Sequence, residues 1–253
     1  MIENILQSRF IVIKNLFYFN FLVSVYYLFN NTFTWADVGV ISCVFFFMNP
    51  LGIAVAYHRY WSHRSFEFRN KFFLYLCTIP PMVSGSGSIL GWVGIHRKHH
   101  AHSDKPGDPH LAANGIVKML TMQTYHYVPS PKEVIDLIRD PFILNSHKYY
   151  FAFPLIYAGL LYLLFGFAGF VLGFCMPAAL SMITQNTTNF VNHFSETEFK
   201  PRNVAWINVF NFGDGWHKNH HDNPKRYTNR QRWYELDLAG LLIKYVFAKS
   251  VID

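Results

Sequence analysis

Charged residues are scarce: Lys, Arg, Asp and Glu make up 15% of the 253 residues, against about a quarter in a soluble globular domain. Cysteine is scarcer still, and Cys43, Cys77 and Cys175 each stand alone in an apolar stretch. That excludes a disulfide framework and a cysteine-held iron–sulfur cluster. There is no Glu-x-x-His pair of the soluble di-iron carboxylate kind and no His-Glu-x-x-His zinc motif. Hydrophobic residues, by contrast, reach 51% and aromatics 19%, which rules out disorder and coiled coil and points to a membrane. The excess of seven positive charges then suits an anionic lipid surface better than nucleic acid, so no nucleic-acid partner is expected.

A bilayer-crossing helix needs about 20 mostly apolar residues. Four segments qualify, about 10–29, 35–57, 149–165 and 167–189. No cleavable-leader pattern precedes the first, so it is expected as a mature helix. All 22 Lys and Arg lie within 1–14, 59–148 or 200–249, and the turns at 30–34 and around Gly166 have none. The positive-inside rule then predicts cytoplasmic termini and a cytoplasmic central loop. The expected fold is an all-α integral membrane protein, one domain over 1–253, with four transmembrane helices in two hairpins. A cytoplasmic helical cap (58–148 and 190–253) would hold the histidines. A fifth apolar stretch, 72–95, is interrupted by Pro80-Pro81 and four glycines and is expected not to span. Helix-like runs are expected at 131–140 and 231–249.

Histidine is abundant, 13 residues in all. Three clusters stand out: His58-Arg-Tyr-Trp-Ser-His63, His96-Arg-Lys-His99-His100 and His217-Lys-Asn-His220-His221; His193 closes the last span, four residues after Asn189. Spacings of three and four put the imidazoles of the second and third clusters on one side of a helix. His58 and His63 diverge by about 140° on an ideal α-helix, so they reach different metals, or flank one where the helix ends. One metal cannot use nine imidazoles; two can. Imidazole suits zinc, copper, iron and nickel. Zinc is redox-silent and normally four-coordinate, so two irons use the set better, although zinc can replace iron in purified protein. Asp104, Asp108, Asp214 and Asp222 lie close enough in sequence to hold the second ring nitrogens. His102, His110, His126 and His147 are expected to be surface or hydrogen-bonded residues.

The run Leu51-Gly-Ile…His58-Arg-Tyr-Trp-Ser-His63-Arg-Ser, Trp92…His96-Arg-Lys-His-His…Ser103-Asp104…Asp108-Pro-His110, Asn189…His193 and Phe212-Gly-Asp-Gly-Trp-His-Lys-Asn-His-His resembles the membrane fatty-acyl Δ9 desaturases. The likeness runs from Pro50 to Lys244, and four spaced motifs agree. It implies two irons held by His58, His63, His96, His99, His100, His193, His217, His220 and His221, with a water on Asn189. It also implies O2-dependent removal of two hydrogens from a long acyl chain. An unactivated methylene has neither an acidic proton nor a leaving group, so side-chain acids and nucleophiles cannot attack it; a redox metal can.

The animal acyl-CoA members carry an Arg where this chain has Gly94, and a basic pair where an ungapped alignment gives Tyr127 and Val128. Phosphate recognition needs such cations, so the chain looks more like the bacterial-type members, some of which act on lipid-linked acyl groups. CoA, lipid and carrier protein remain the acyl carriers to distinguish. Phe45, Phe46 and Phe47 are candidates to limit the depth of an acyl tunnel. No His-Pro-Gly-Gly haem signature is present, so electrons come from a separate carrier, cytochrome b5-like or a ferredoxin, attracted to the basic face. Two alternatives remain open: a histidine-box hydroxylase with the same metals, and a metal transporter, which would place its ligands near the bilayer midplane.

Overall fold

The computed structural model describes residues 2–123 and 129–253; His126, Tyr127 and Val128 lie outside the described residues. The chain is mostly helical. Helix α1 (Ile2–Asn30) is followed by a short turn and by α2 (Trp35–Ser62). Thr34 starts α2 with a capping box: Thr34 Oγ1 accepts from Asp37 N at 3.3 Å, and Asp37 Oδ2 accepts from Thr34 N at 2.7 Å. From Phe47 to Ser62 α2 is π-wound, with Pro50 inside the widened stretch. Proline brings no N–H to an i→i−4 ladder, and wider winding re-registers the bonds around it.

A short strand β1 (Phe66–Phe68) leads to α3 (Lys71–Val83) and α4 (Ile89–His102). The stretch expected not to span is indeed broken, but not at its prolines. Pro80 and Pro81 are absorbed within α3, and the interruption falls at 84–88. After α5 (Ile116–Leu120) the run expected as helix at 131–140 is only a 3-10 turn, Pro131–Val134. Helix α6 (Pro141–Lys148) starts where Asp140 Oδ1 caps Phe142 N.

Helices α7 (Ala152–Phe170) and α8 (Met176–His193) are joined by π-wound Val171–Cys175. Gly166 breaks α7 with φ 65° and ψ −161°, a conformation essentially confined to glycine. The chain folds back there. Tyr157 Oη donates to Gly173 O at 3.2 Å, sixteen residues away, a separation that would be about 24 Å along a straight helix.

The rest of the chain is α9 (Asn208–Asn211), α10 (His217–Asp222) and α11 (Leu238–Leu242), with π-wound Ile243–Phe247 and strand β2 (Ala248–Val251). The fold is therefore not wholly α: β1 pairs antiparallel with β2, Phe66 opposite Val251, and brings the C-terminal segment back to the end of α2. The helix expected at 231–249 is limited to Leu238–Phe247, because the chain then extends to make that pair.

Among the described residues, three helical stretches, Ile11–Asn30, Trp35–Ser62 and Ala152–His193, are long and apolar enough to cross a membrane. Large apolar side chains such as Leu163 and Leu164 stay exposed on them, as expected of a membrane protein. The core lies where α2, α3, α4 and α11 meet, around Val55, Ala56, Cys77, Met82, Val93 and Ile243.

Candidate metal centre

The nine box histidines converge at the ends of α2, α4, α8 and α10 in two groups. In one, His58, His63, His96, His100 and His220 bring their nitrogens within 4.8 Å of one another; in the other, His99, His193, His217 and His221 do the same. Nε2–Nε2 separations are 2.9 Å for His58–His220, 2.8 Å for His63–His96, 3.0 Å for His100–His220, 2.9 Å for His193–His217 and 3.1 Å for His217–His221.

Helix geometry explains the division. On α4, His96 and His100 are four apart and share a group, while His99 turns to the other. On α10, His217 and His221 pair in the same way and His220 crosses over. Consecutive residues point about 100° apart, so each helix serves both groups. His58 and His63 fall in one group, with ring centroids 5.2 Å apart. The π-winding decides this: His63 N donates to His58 O at 3.3 Å, an i→i+5 bond that closes the wider turn.

Carboxylates hold the outward nitrogens of three of these rings. His58 Nδ1 lies 3.2 Å from Asp214 Oδ2, His99 Nδ1 2.8 Å from Asp108 Oδ1, and His193 Nδ1 2.8 Å from Asp104 Oδ2. A carboxylate only accepts, so each Nδ1 carries the proton and each Nε2 presents a lone pair inward. Asp222 does not join them. It is exposed and accepts from Lys218 Nζ at 2.5 Å, one helical turn back on α10. Asn189 lines the cavity beside the four-histidine group, one turn before His193.

Lone pairs crowded this closely repel unless a cation lies between them. The buried Nε2 of His99 has no hydrogen-bond partner, an arrangement costly in a protein interior and suited to a metal. Burial, reinforced by neighbouring imidazoles, holds His63, His96, His100, His217, His220 and His221 far below the usual histidine range, and brings His99 to about 3. These seven imidazoles are neutral and ready to ligate at pH 7.

Sequence reasoning missed the buried pair behind His58. Arg59 Nη2 donates to Asp214 Oδ1 at 3.1 Å; Arg59 Nη1 donates to Asp237 Oδ2 at 3.0 Å and to Tyr227 O at 3.1 Å. Asp237 also accepts from Thr228 Oγ1, Asn229 N and Gly240 N. Burial tends to raise the Asp214 carboxyl, but His58 and Arg59 hold it below its ordinary value. Gly213 allows this close approach, since a Cβ there would stand 2.0 Å from Asp237 Oδ1. Arg97, inside the second box, ties α4 to the end of α2 by donating to Ser62 O and Trp61 O, each at 3.0 Å.

A cavity with about 1210 Å³ of empty space, its open mouth included, runs past His58, His96 and His217. Ile53, Ala54 and Met182 line it together with Asn49, Gln185 and Thr188. Trp92 stacks on His96 at 5.0 Å and donates through Nε1 to Gln185 Oε1 at 3.0 Å. Phe45, Phe46 and Phe47 do not line it; Phe46 packs on Phe212 instead. Among the other histidines, His110 is buried against Asp108, His147 Nδ1 lies 2.6 Å from Ser88 Oγ, and His102 is half-buried.

The family model for fatty acid desaturases matches residues 33–251. An sn-1 stearoyl-lipid 9-desaturase of Anabaena variabilis is 30% identical over 226 residues, 85% of this chain and 82% of its own length. An sn-2 palmitoyl-lipid 9-desaturase of Nostoc sp. (strain 36) is 28% identical over 241 residues, 87% and 83% of the two chains. A hex-5-enoyl-acyl-carrier-protein acetylenase of Moorena producens is 28% identical over 226 residues, 78% and 70%.

Proposed function

The chain belongs to the fatty acid desaturase family, and we propose from that premise that it desaturates a long lipid-linked acyl chain at the ninth carbon, at a two-iron centre. The observation that carries this reading is the pair of converging imidazole groups opening onto one cavity. One metal would be held by His58, His63, His96, His100 and His220. The other would be held by His99, His193, His217 and His221, with a water on Asn189 completing the smaller set. Iron held there would supply the O2 chemistry: with two electrons from a separate cytochrome b5-like or ferredoxin carrier and two protons from water, two hydrogens leave the acyl chain and O2 ends as two waters. Asp104, Asp108 and Asp214 hold the Nδ1 protons of His193, His99 and His58 and aim those rings. The cavity wall excludes bulk water and positions the methylenes beside the centre.

Gly94 favours a lipid over a CoA thioester. A Cβ there would stand 2.3 Å from Pro129 Cβ and 3.3 Å from Val134 Cγ1, so this backbone has no room for the arginine of the acyl-CoA members. We further assign one domain over 1–253 with four spans in two hairpins. The second hairpin turns at Gly166, and the termini and metal centre face the cytoplasm, a reading that the distribution of positive charge supports.

Lipid profiling of a desaturase-deficient host tests the reading, with a matched electron donor and His96→Ala and His220→Ala as controls. New Δ9 monoenes absent from both controls are expected. Hydroxy acids would move the assignment to a hydroxylase, and no product would overturn it.

A further inference from the structure

One segment contributes no ligand to the centre yet reaches its cavity through Asn211. Residues 203–213 read Asn-Val-Ala-Trp-Ile-Asn-Val-Phe-Asn-Phe-Gly, without a charged side chain. They fold as a 3-10 turn, Ala205–Ile207, running into α9. The inner side is fastened to two long helices. Asn49 Nδ2 donates to Phe210 O at 3.4 Å, Asn211 Nδ2 donates to Thr188 Oγ1 at 2.9 Å, and the Phe212 ring lies 5.4 Å from that of Phe46. Asn49 stands near the midpoint of Trp35–Ser62, nine residues before His58, and Thr188 comes five residues before His193. These contacts set α9 beside the apolar bodies of α2 and α8, displaced from the imidazoles towards the middle of the bundle.

The outer side is apolar. Trp206, Val209 and Phe210 are 55%, 72% and 50% exposed, and spacings of three and four put them on one face. Through Phe46 this face continues onto α2 at Cys43 and Val40, which are exposed. A protein partner would be expected to meet a polar or charged rim, and there is no charge between Arg202 and Asp214. Lipid tails require none.

We propose that α9 is immersed in the hydrocarbon layer, outside the four spans, and is the side wall through which the acyl chain of a bilayer lipid enters the cavity. Asn211 lines the cavity while its neighbour Phe210 faces outward, so the wall is a single helical turn thick. It is closed by the Asn49 and Asn211 side chains, two polar groups placed where lipid surrounds the bundle. This route rests on the reading that the substrate is lipid-linked; the immersion of α9 does not.

The test uses full-length protein in phospholipid vesicles, in a Cys43→Ser background that leaves only the buried Cys77 and Cys175. A nitroxide label is placed at Val209→Cys, with Leu163→Cys on α7 as the lipid-facing control and Glu196→Cys as the water-facing one. Relaxation by O2 over a water-soluble nickel chelate is expected to match the Leu163 label, and a ratio matching the Glu196 label overturns immersion. This readout needs no turnover, so it stands even if desaturation fails. For entry, a Val209→Asp/Phe210→Asp variant is expected to lose at least tenfold in turnover of vesicle lipid at unchanged metal content, with Val209→Leu/Phe210→Leu near wild type. Wild-type turnover by the aspartate variant overturns the entry route. If that variant does not retain metal, the milder Val209→Asn/Phe210→Asn variant at full metal content decides the route by the same turnover and the same two outcomes.

Discussion

Replacing Arg59 by Met removes a fully buried guanidinium while keeping most of its volume. Asp214 and Asp237 are then left buried without their shared cation, and Tyr227 O loses a donor. Removing one partner of a buried ion pair typically costs about 3–5 kcal/mol, because an uncompensated charge stays inside. Asp237 keeps three donors, from Thr228, Asn229 and Gly240, which sets the expectation at the lower end, about 3 kcal/mol. The effect at Asp214 is the more consequential. It orients His58 through Nδ1 and keeps Asn229 Nδ2 as a donor in place of the guanidinium; outright loss of such an outer partner commonly weakens metal binding by about 10–100-fold, which bounds the effect. Arg59→Met is therefore expected to lower both the thermal midpoint of the metal-free protein and the affinity of the five-histidine group, measured by metal titration in detergent. Adding Asp237→Asn, which removes the uncompensated charge and keeps an oxygen for the Thr228, Asn229 and Gly240 donors, should recover part of the stability, but not the affinity. An unchanged midpoint with full metal affinity in Arg59→Met would refute the coupling.

Asp108→Ala should weaken the four-histidine group by about 10–100-fold, because His99 loses its Nδ1 acceptor. Asp222→Asn, altering only an exposed pair with Lys218, should change stability by less than about 1 kcal/mol; metal titration and unfolding separate the two. In the metal-free protein, burial brings His99 and His110 each to about 3, against about 6.5 when unfolded. The unfolded chain binds more protons between those values, so stability is complete above pH 6.5 and falls as pH is lowered towards 3. The slope is about 1.4 kcal/mol per pH unit for each histidine, and a midpoint that does not move between pH 7 and 5 would contradict it. Gly166→Ala should cost about 1–3 kcal/mol from backbone conformation alone, since no atom lies within 4 Å of the added Cβ; thermal unfolding checks it.

Local pattern carried much of this molecule. The apolar stretches, the scarcity of charge within them and the spacing of the histidine boxes depend on neighbours one turn away, so the long helices and the nine imidazoles were legible from residues alone. So was the break in 72–95, although its position was not: whether Pro80-Pro81 ends a helix depends on what replaces the missing donors, and α3 absorbs both.

What the tertiary structure decided are relations between distant segments. The partition of the nine imidazoles follows from how α2, α4, α8 and α10 meet, and the placing of His58 with His63 follows from a π-winding that an ideal helix does not anticipate. Asp104, Asp108 and Asp214 reach imidazoles while Asp222 turns to Lys218. Arg59 finds Asp237 nearly 180 residues away. The C-terminal strand closes on β1, and Phe46 packs on Phe212 instead of lining the cavity. No local spacing encodes these, because each depends on burial that exists only once the whole chain has packed.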